Sequence, residues 1–176
     1  MPDVICEIKP ERAATFVGPK LGQFHFRNDE THPGCLRLKE LIKNTIGALY
    51  RETGIHQYIS GIKPGVEMWA SEIVLETMKE YPDMELFCIL PSDGQASKWN
   101  RSIKQRSDSI LRNCTGLFRT QDEIRESGDC VAARMLTIKH TCILIAVSEM
   151  TETYARPPVW AINKARERGN RIVHIA

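Results

Sequence analysis

The stretch Tyr58 to Glu72, YISGIKPGVEMWASE, decides how the rest of the chain is read. A short apolar segment ends in Ser60-Gly61, passes through Lys63 and Pro64 to Gly65, and then takes up a helical pattern. A helix that follows a glycine turn at a strand end presents unbonded backbone N–H groups carrying partial positive charge, and these attract phosphate. Glycines matter there because a side chain would hold a ligand off the backbone. Pro64 suits a first helical turn, where its missing N–H costs little, and Lys63 adds a full charge. The spacing, G-x-x-x-G, is neither the dinucleotide fingerprint nor a P-loop ending in Gly-Lys-Ser/Thr, so the same residues also describe a plain tight turn. Within the helix, Val66, Trp69, Ala70, Ile73 and Val74 form a core stripe, which makes Trp69 a packing residue rather than a stacking platform. Glu67 either complements the helix dipole or points into a cleft, as a ribose acceptor or base. Glu72 lies five residues on, about 140° around the helix, so the two acids do not form a working pair.

Outward from this turn, short apolar segments alternate with longer stretches of helical period. Strands are expected at Ala13 to Gly18, Ile55 to Ser60, Met84 to Leu90 (MELFCIL), GLFRT from Gly116, Thr141 to Val147, and Arg171 to Ile175. A helix from about Gly34 to Glu52 repeats Leu36, Leu38, Leu41, Ile42, Ile46 and Leu49 near 3.6 residues, and stops at Thr53-Gly54. The helix after the glycine turn ends before Tyr81-Pro82. The loop SDGQAS leads into a basic helix, about Lys98 to Asn113. A helix from about Ser127 to Lys139 turns Val131, Ala132, Met135, Leu136 and Ile138 inward. A loop, Ser148 to Pro158, precedes a last helix that stops at Gly169. Strands alternating with helices of ten or more residues imply parallel crossovers and an α/β sheet, whose ligands bind outside the carboxyl ends of the strands. Neither a repeat nor a linker divides the chain, and residues 1–176 read as one domain.

Composition narrows the function. Twenty-four basic against 22 acidic side chains leave a net charge of +2, too balanced for a surface built for nucleic acid or membrane. The longest apolar run, Cys142 to Val147, is far below the roughly 20 residues of a membrane helix. The start, MPDVICEIKPER, lacks the basic and long apolar parts of a secretory signal, which points to the cytoplasm. Six scattered cysteines (Cys6, Cys35, Cys88, Cys114, Cys130, Cys142) form no C-x-x-C pair and read as reduced thiols. His25, His32 and Cys35 are too few and too widely spaced for a closed zinc site, so neither a metal nor a cofactor is indicated. Lys98, Arg101, Lys104, Arg106 and Arg112 read first as a solvated helix face and secondly as a phosphate or nucleic-acid patch. Arg134 is either a surface charge or a cleft residue for phosphate. His140, before a buried strand, reads as structural. No nucleophile sits in a G-x-S-x-G or paired Cys-His arrangement.

At Ile59-Ser60-Gly61, Gly65-Val66-Glu67, Trp69-Ala70 and Glu72 the sequence resembles the YpsA-like (YspA) family of the SLOG superfamily, which also contains the LOG and DprA proteins. The order of elements agrees over most of the chain, including EYPD (Glu80 to Asp83), the strand ending at Pro91, and Trp99 opening the next helix. FVGPKL (Phe16 to Leu21) stands where the family has a Thr-Gly-His-Arg-Pro-like turn, with Gly18 and Lys20 in common. The resemblance implies a Rossmann-like three-layer sandwich with a mainly parallel central sheet, and a pocket for a nucleotide or nucleotide-derived molecule. That pocket would use Gly18, Lys20, Ser60, Gly61, Lys63, Gly65, Glu67 and Arg134, with Glu67 the one candidate catalytic group. Proteins of the superfamily often self-associate, which implies a dimer or larger.

Three departures from the family pattern bear on chemistry. Ala132-Ala133 and His140-Thr141 stand where the family has Arg-Asn and Ser-Asp pairs. Val159-Trp160 replaces its phosphate-cradling Gly-Thr. The segment ARPPVWAIN, Ala155 to Asn163, lacks the glycines and the acid of the LOG hydrolase motif, which disfavours a phosphoribohydrolase of that type. The leading expectation is therefore binding of a nucleotide or nucleotide derivative, for sensing or sequestration. The alternatives are a hydrolase of a nucleotide N-glycosidic or phosphate bond, and a non-catalytic assembly protein that has lost its pocket.

Overall fold

The computed structural model describes residues 4–91, 96–121, 130–149 and 157–176. Six strands, β1 (Ala13–Val17), β2 (Gln57–Ser60), β3 (Glu85–Leu90), β4 (Gly116–Arg119), β5 (Ile143–Val147) and β6 (Arg171–Ile175), form one sheet in the order β4-β3-β2-β1-β5-β6. Every pairing is parallel, with Thr15 of β1 level with Ile59 on one side and Leu144 on the other. Every residue of β1 and β5 is buried, as expected of central parallel strands covered on both faces. Helices α1 (Pro33–Thr53), α2 (Val66–Thr77), α3 (Arg101–Asn113), α4 (Val131–Lys139) and α5 (Val159–Glu167) make the connections.

Alternation along the strands sorts the core into two layers. Leu86, Cys88 and Leu90 of β3 join a cluster with Ile42 and Ile46 of α1, Trp69 and Val74 of α2, and Ile110 of α3. Phe87 and Ile89 face Ala133 of α4, while Leu144 and Ala146 of β5 face Ala161 and Ala165 of α5. The result is a Rossmann-like sandwich. From β4, at one edge, the chain returns through α4 to β5 on the far side of β1. The strand order therefore reverses between β1 and β5, and the carboxyl ends around that point are where such sheets take ligands. No helix among the described residues is long and apolar enough to cross a membrane.

Some details depart from the sequence expectations. In α1 the inward stripe is Cys35, Leu38, Ile42, Ile46 and Leu49; Leu36, one position off that stripe, is 53% exposed. In α4, Ala133, Thr137 and Ile138 are buried and Ala132 is exposed, because the helix phase is set by the larger residues and a run of two alanines does not reveal which one turns in. The second strand starts at Gln57 rather than Ile55, since Gly54, at φ 70°, turns the chain out of α1 and Ile55 donates back to the Leu49 carbonyl. The fifth strand starts at Ile143 rather than Thr141, whose hydroxyl bonds back to the end of α4. The end of α2 agrees with expectation: it stops at Thr77, before Tyr81-Pro82. The expected helix start at Ser127, the first part of SDGQAS, most of the loop before Pro158, and Ala155 lie outside the described residues.

The basic helix has one residue with a defined structural task. Arg106 donates to both Glu72 oxygens at 2.7 Å and to Glu30 Oε1 at 2.6 Å, while Lys39 donates to Glu30 Oε2 at 2.6 Å. This half-buried network ties α1, α2 and α3 to the segment before α1; Lys98, Arg101, Lys104 and Arg112 are exposed. Burial works against the charge on Glu30, but hydrogen bonds from Arg106 and Lys39 prevail and hold its carboxyl at about 2, from an ordinary 4.5. A carboxylate with a lowered folded-state pKa stabilises the fold above its unfolded value and loses that contribution as pH falls toward the folded one. Stability should therefore drop by about 1 to 2 kcal/mol between pH 4.5 and pH 2 from this group, partial exposure allowed for. Urea midpoints across that range should show this loss, and Glu30→Gln should flatten it while lowering stability at pH 7.

Candidate functional site

The glycine turn is built from residues that constrain one another. Gly65 caps α2 at φ 101°, ψ −137°, a region open in practice to glycine alone. Ile62 holds φ 50°, a strained value for a β-branched residue. It is kept there by its fully buried side chain and by donation of its N–H to Ser60 Oγ at 3.0 Å. The Ser60 hydroxyl is itself buried and lies 2.7 Å from Ser71 Oγ, so it fastens the turn to α2. Met68 N–H closes the far side on the Lys63 carbonyl at 3.0 Å.

The end of β1 abuts the same helix. A Cβ on Gly18 would lie 2.3 Å from Val66 Cγ2 and 2.7 Å from Val66 Cβ, so glycine is what lets β1 and the start of α2 approach. Gly18→Ala should push Val66 and the turn outward and lower stability by about 1 to 3 kcal/mol. Gly22→Ala, where an added Cβ meets nothing within 4 Å, is the control and should stay near wild type. Equal thermal midpoints for the two variants would sink this account of the contact.

Above the turn is a cleft lined by Gly61, Lys63 and Glu67, by Ile89 and Pro91 at the end of β3, and by Cys130, Ala133, Arg134 and Thr137 of α4 and its start. Its free volume is about 20 Å³, room for a water molecule. Arg134 crosses the cleft: Nη1 donates to the Phe16 carbonyl at the end of β1 at 3.0 Å, and Nη2 to Glu67 Oε2 at 2.9 Å. The other Glu67 oxygen accepts the Gly61 N–H at 3.1 Å. The two charged side chains are only 11% and 7% exposed.

Of the eight candidate residues, the structure thus gathers Gly61, Lys63, Glu67 and Arg134. Gly18 and Gly65 shape the backbone beneath them, and Ser60 is sealed inside the turn. Lys20 is exposed and does not line the cleft; its N–H caps a short turn by donating to Gln23 Oε1 at 3.0 Å. Glu72 belongs to the Arg106 network, on a different side of α2 from Glu67. Each Glu67 oxygen accepts one hydrogen bond, from the Gly61 N–H and from Arg134. At the far end, Val159 is exposed at the start of α5 and does not line the cleft, and His140 Nδ1 lies 2.9 Å from the Leu136 carbonyl oxygen, a helix-end role.

One buried acid escapes sequence reasoning. Glu149, just past β5, is 5% exposed; it accepts the His25 N–H at 2.8 Å and contacts the His25 ring through Nδ1. The contact pins the segment before α1 to the sheet beside the strand-order reversal. Its position directly after an apolar strand was the available signal. His32, near His25, is a helix cap whose Nδ1 accepts the Gly34 N–H at 3.0 Å. Cys35 is buried, and burial pushes its thiol up to about 11. Among the described residues no three His, Cys, Asp or Glu side chains are grouped to hold a metal.

A parallel sandwich with a glycine turn, a lysine and an arginine meeting at its carboxyl strand ends defines a Rossmann-like α/β protein. The family model described as the YspA SLOG family matches residues 19–126, and the chain belongs to that family. The match contains the glycine turn and Glu67 but stops short of Arg134. Among relatives, a UPF0398 protein of Bacillus thuringiensis (strain Al Hakam) is 34% identical over 86 residues, 49% of this chain and 45% of the relative. A UPF0398 protein of Brevibacillus brevis is 38% identical over 85 residues, 48% of this chain and 43% of the relative. The chain thus aligns with less than half the length of each.

Proposed function

We propose that the protein binds a nucleotide or nucleotide-derived small molecule, and so senses or sequesters it, at the cleft formed by the glycine turn and α4. The observation that carries this reading is the convergence of Arg134 with Lys63 and the Gly61 N–H at the carboxyl ends of β1 to β3. Two cations and a backbone donor at that place suit phosphate groups, and membership of the YspA SLOG family supports the same class. The free space is that of a water, so a nucleotide has to displace a side chain or lie across the mouth. Glu67, paired on both oxygens, favours binding over hydrolysis. Self-association to a dimer or larger, and a cytoplasmic location, belong to the same proposal.

Titration calorimetry against a panel of mono- and dinucleotides, ADP-ribose included, tests it. At least one member should give 1:1 heat that weakens by about tenfold in Lys63→Ala, as expected on losing one charge-assisted contact. No heat from any member would remove the reading.

A further inference from the structure

Glu67 is in the wrong place for a residue that merely complements a helix. An acid in the first turn serves the helix dipole from an exposed position, yet this side chain is buried and folds back to Gly61, where its carboxylate takes a backbone N–H on one oxygen and the Arg134 guanidinium on the other, at 3.1 and 2.9 Å. A strand-end N–H together with a guanidinium is the donor set that grips a phosphate. We infer that the Glu67 carboxylate is an internal anion seated in the subsite that takes a phosphate group, so that ligand entry exchanges one anion for another. The ligand's identity as a nucleotide rests on the reading above; the seat itself rests on the geometry alone.

Charge and space both favour exchange over addition. Lys63 and Arg134 bring two positive charges to the cleft and Glu67 one negative; among the described residues Lys63 makes no ion pair. With the carboxylate out of its seat two positive charges face the subsite, which a phosphate dianion balances and a monocarboxylate does not. With Glu67 seated, the free volume of about 20 Å³ holds a water and not a phosphate as well. The occupant that replaces the carboxylate is therefore a compact dianion, a terminal phosphate or a diphosphate.

The experiment uses inorganic pyrophosphate as the probe, titrated by calorimetry into wild type, Glu67→Ala and Glu67→Gln at low salt, with circular dichroism to confirm folding. Glu67→Ala empties the seat and should bind pyrophosphate about tenfold or more tightly than wild type. Glu67→Gln keeps the shape without the charge, should gain in the same direction, and carries the test if the alanine variant does not fold. Adding Arg134→Ala to either should abolish the gain. Equal or weaker binding in the Glu67 variants would overturn the inference and make Glu67 a ligand-contacting group. The nucleotide panel run on the same proteins separates the two claims. Pyrophosphate gain without nucleotide heat leaves the seat standing and removes the nucleotide reading. Nucleotide binding by wild type that weakens in both Glu67 variants does the reverse.

Discussion

Arg134→Ala should lower the free energy of unfolding by about 3 to 5 kcal/mol, the range found when one partner of a buried ion pair is removed and the other charge stays behind. The reason is local. Glu67 is 7% exposed on its side chain, and without the guanidinium its carboxylate keeps one donor, the Gly61 N–H. The Phe16 carbonyl also loses the donor that Arg134 supplies at 3.0 Å. For a chain of this length the loss corresponds to a fall in melting temperature of roughly 10 °C. The double variant Arg134→Met with Glu67→Gln should recover much of it, because replacing both members leaves no buried charge. A single variant that melts with wild type would show that the pair is not desolvated as described.

Trp69→Ala should be comparably damaging, about 3 to 5 kcal/mol. Trp69 is 1% exposed and its ring lies 5.4 Å from Phe24 and 6.2 Å from Phe26, centroid to centroid, with Lys39 Nζ 5.6 Å above it. Through these rings the segment before α1 packs on α2, the helix that carries Glu67. Alanine there leaves a cavity that neither a strand nor a capped helix can collapse to fill. Trp69→Phe keeps most of the volume and should lose far less. Chemical denaturation of the two variants side by side measures the difference; equal midpoints would mean that Trp69 is not the centre of this cluster.

Much of the fold was legible because parallel strands covered on both faces must be apolar almost throughout. MELFCIL and CILIAV can be little else, and the helices between them leave only crossovers. Trp69 was readable as core for a similar reason, since it falls on the stripe with Val66, Ala70, Ile73 and Val74. Phase was harder to read wherever consecutive residues are alike in hydropathy, as with Cys35 and Leu36 or Ala132 and Ala133. The glycine turn was visible as two glycines between a strand and a helix, and Gly18 was marked only by the family resemblance. What could not be read was pairing across distance. Arg134 and Glu67 are 67 positions apart, and whether Arg134 faces solvent or the cleft depends on how α4 packs against the sheet beside β3. Glu149 and His25, 124 positions apart, are hidden by the same cause. Arg106 looked like one more charge on a basic helix until Glu30 and Glu72 were placed against it.

The proposed ligand, a phosphate-bearing nucleotide, meets this chain at the glycine turn and α4. Backbone amide shifts in a nitrogen-15 correlation spectrum, followed while the nucleotide panel is titrated in, report occupancy and place in one measurement. Shifts concentrated at Gly61, Ile62, Lys63, Glu67, Ala133 and Arg134, saturating with one ligand per chain, are the predicted result. A spectrum unmoved by every nucleotide, or shifts gathered on α3 around Arg101 and Lys104 instead, would contradict the account.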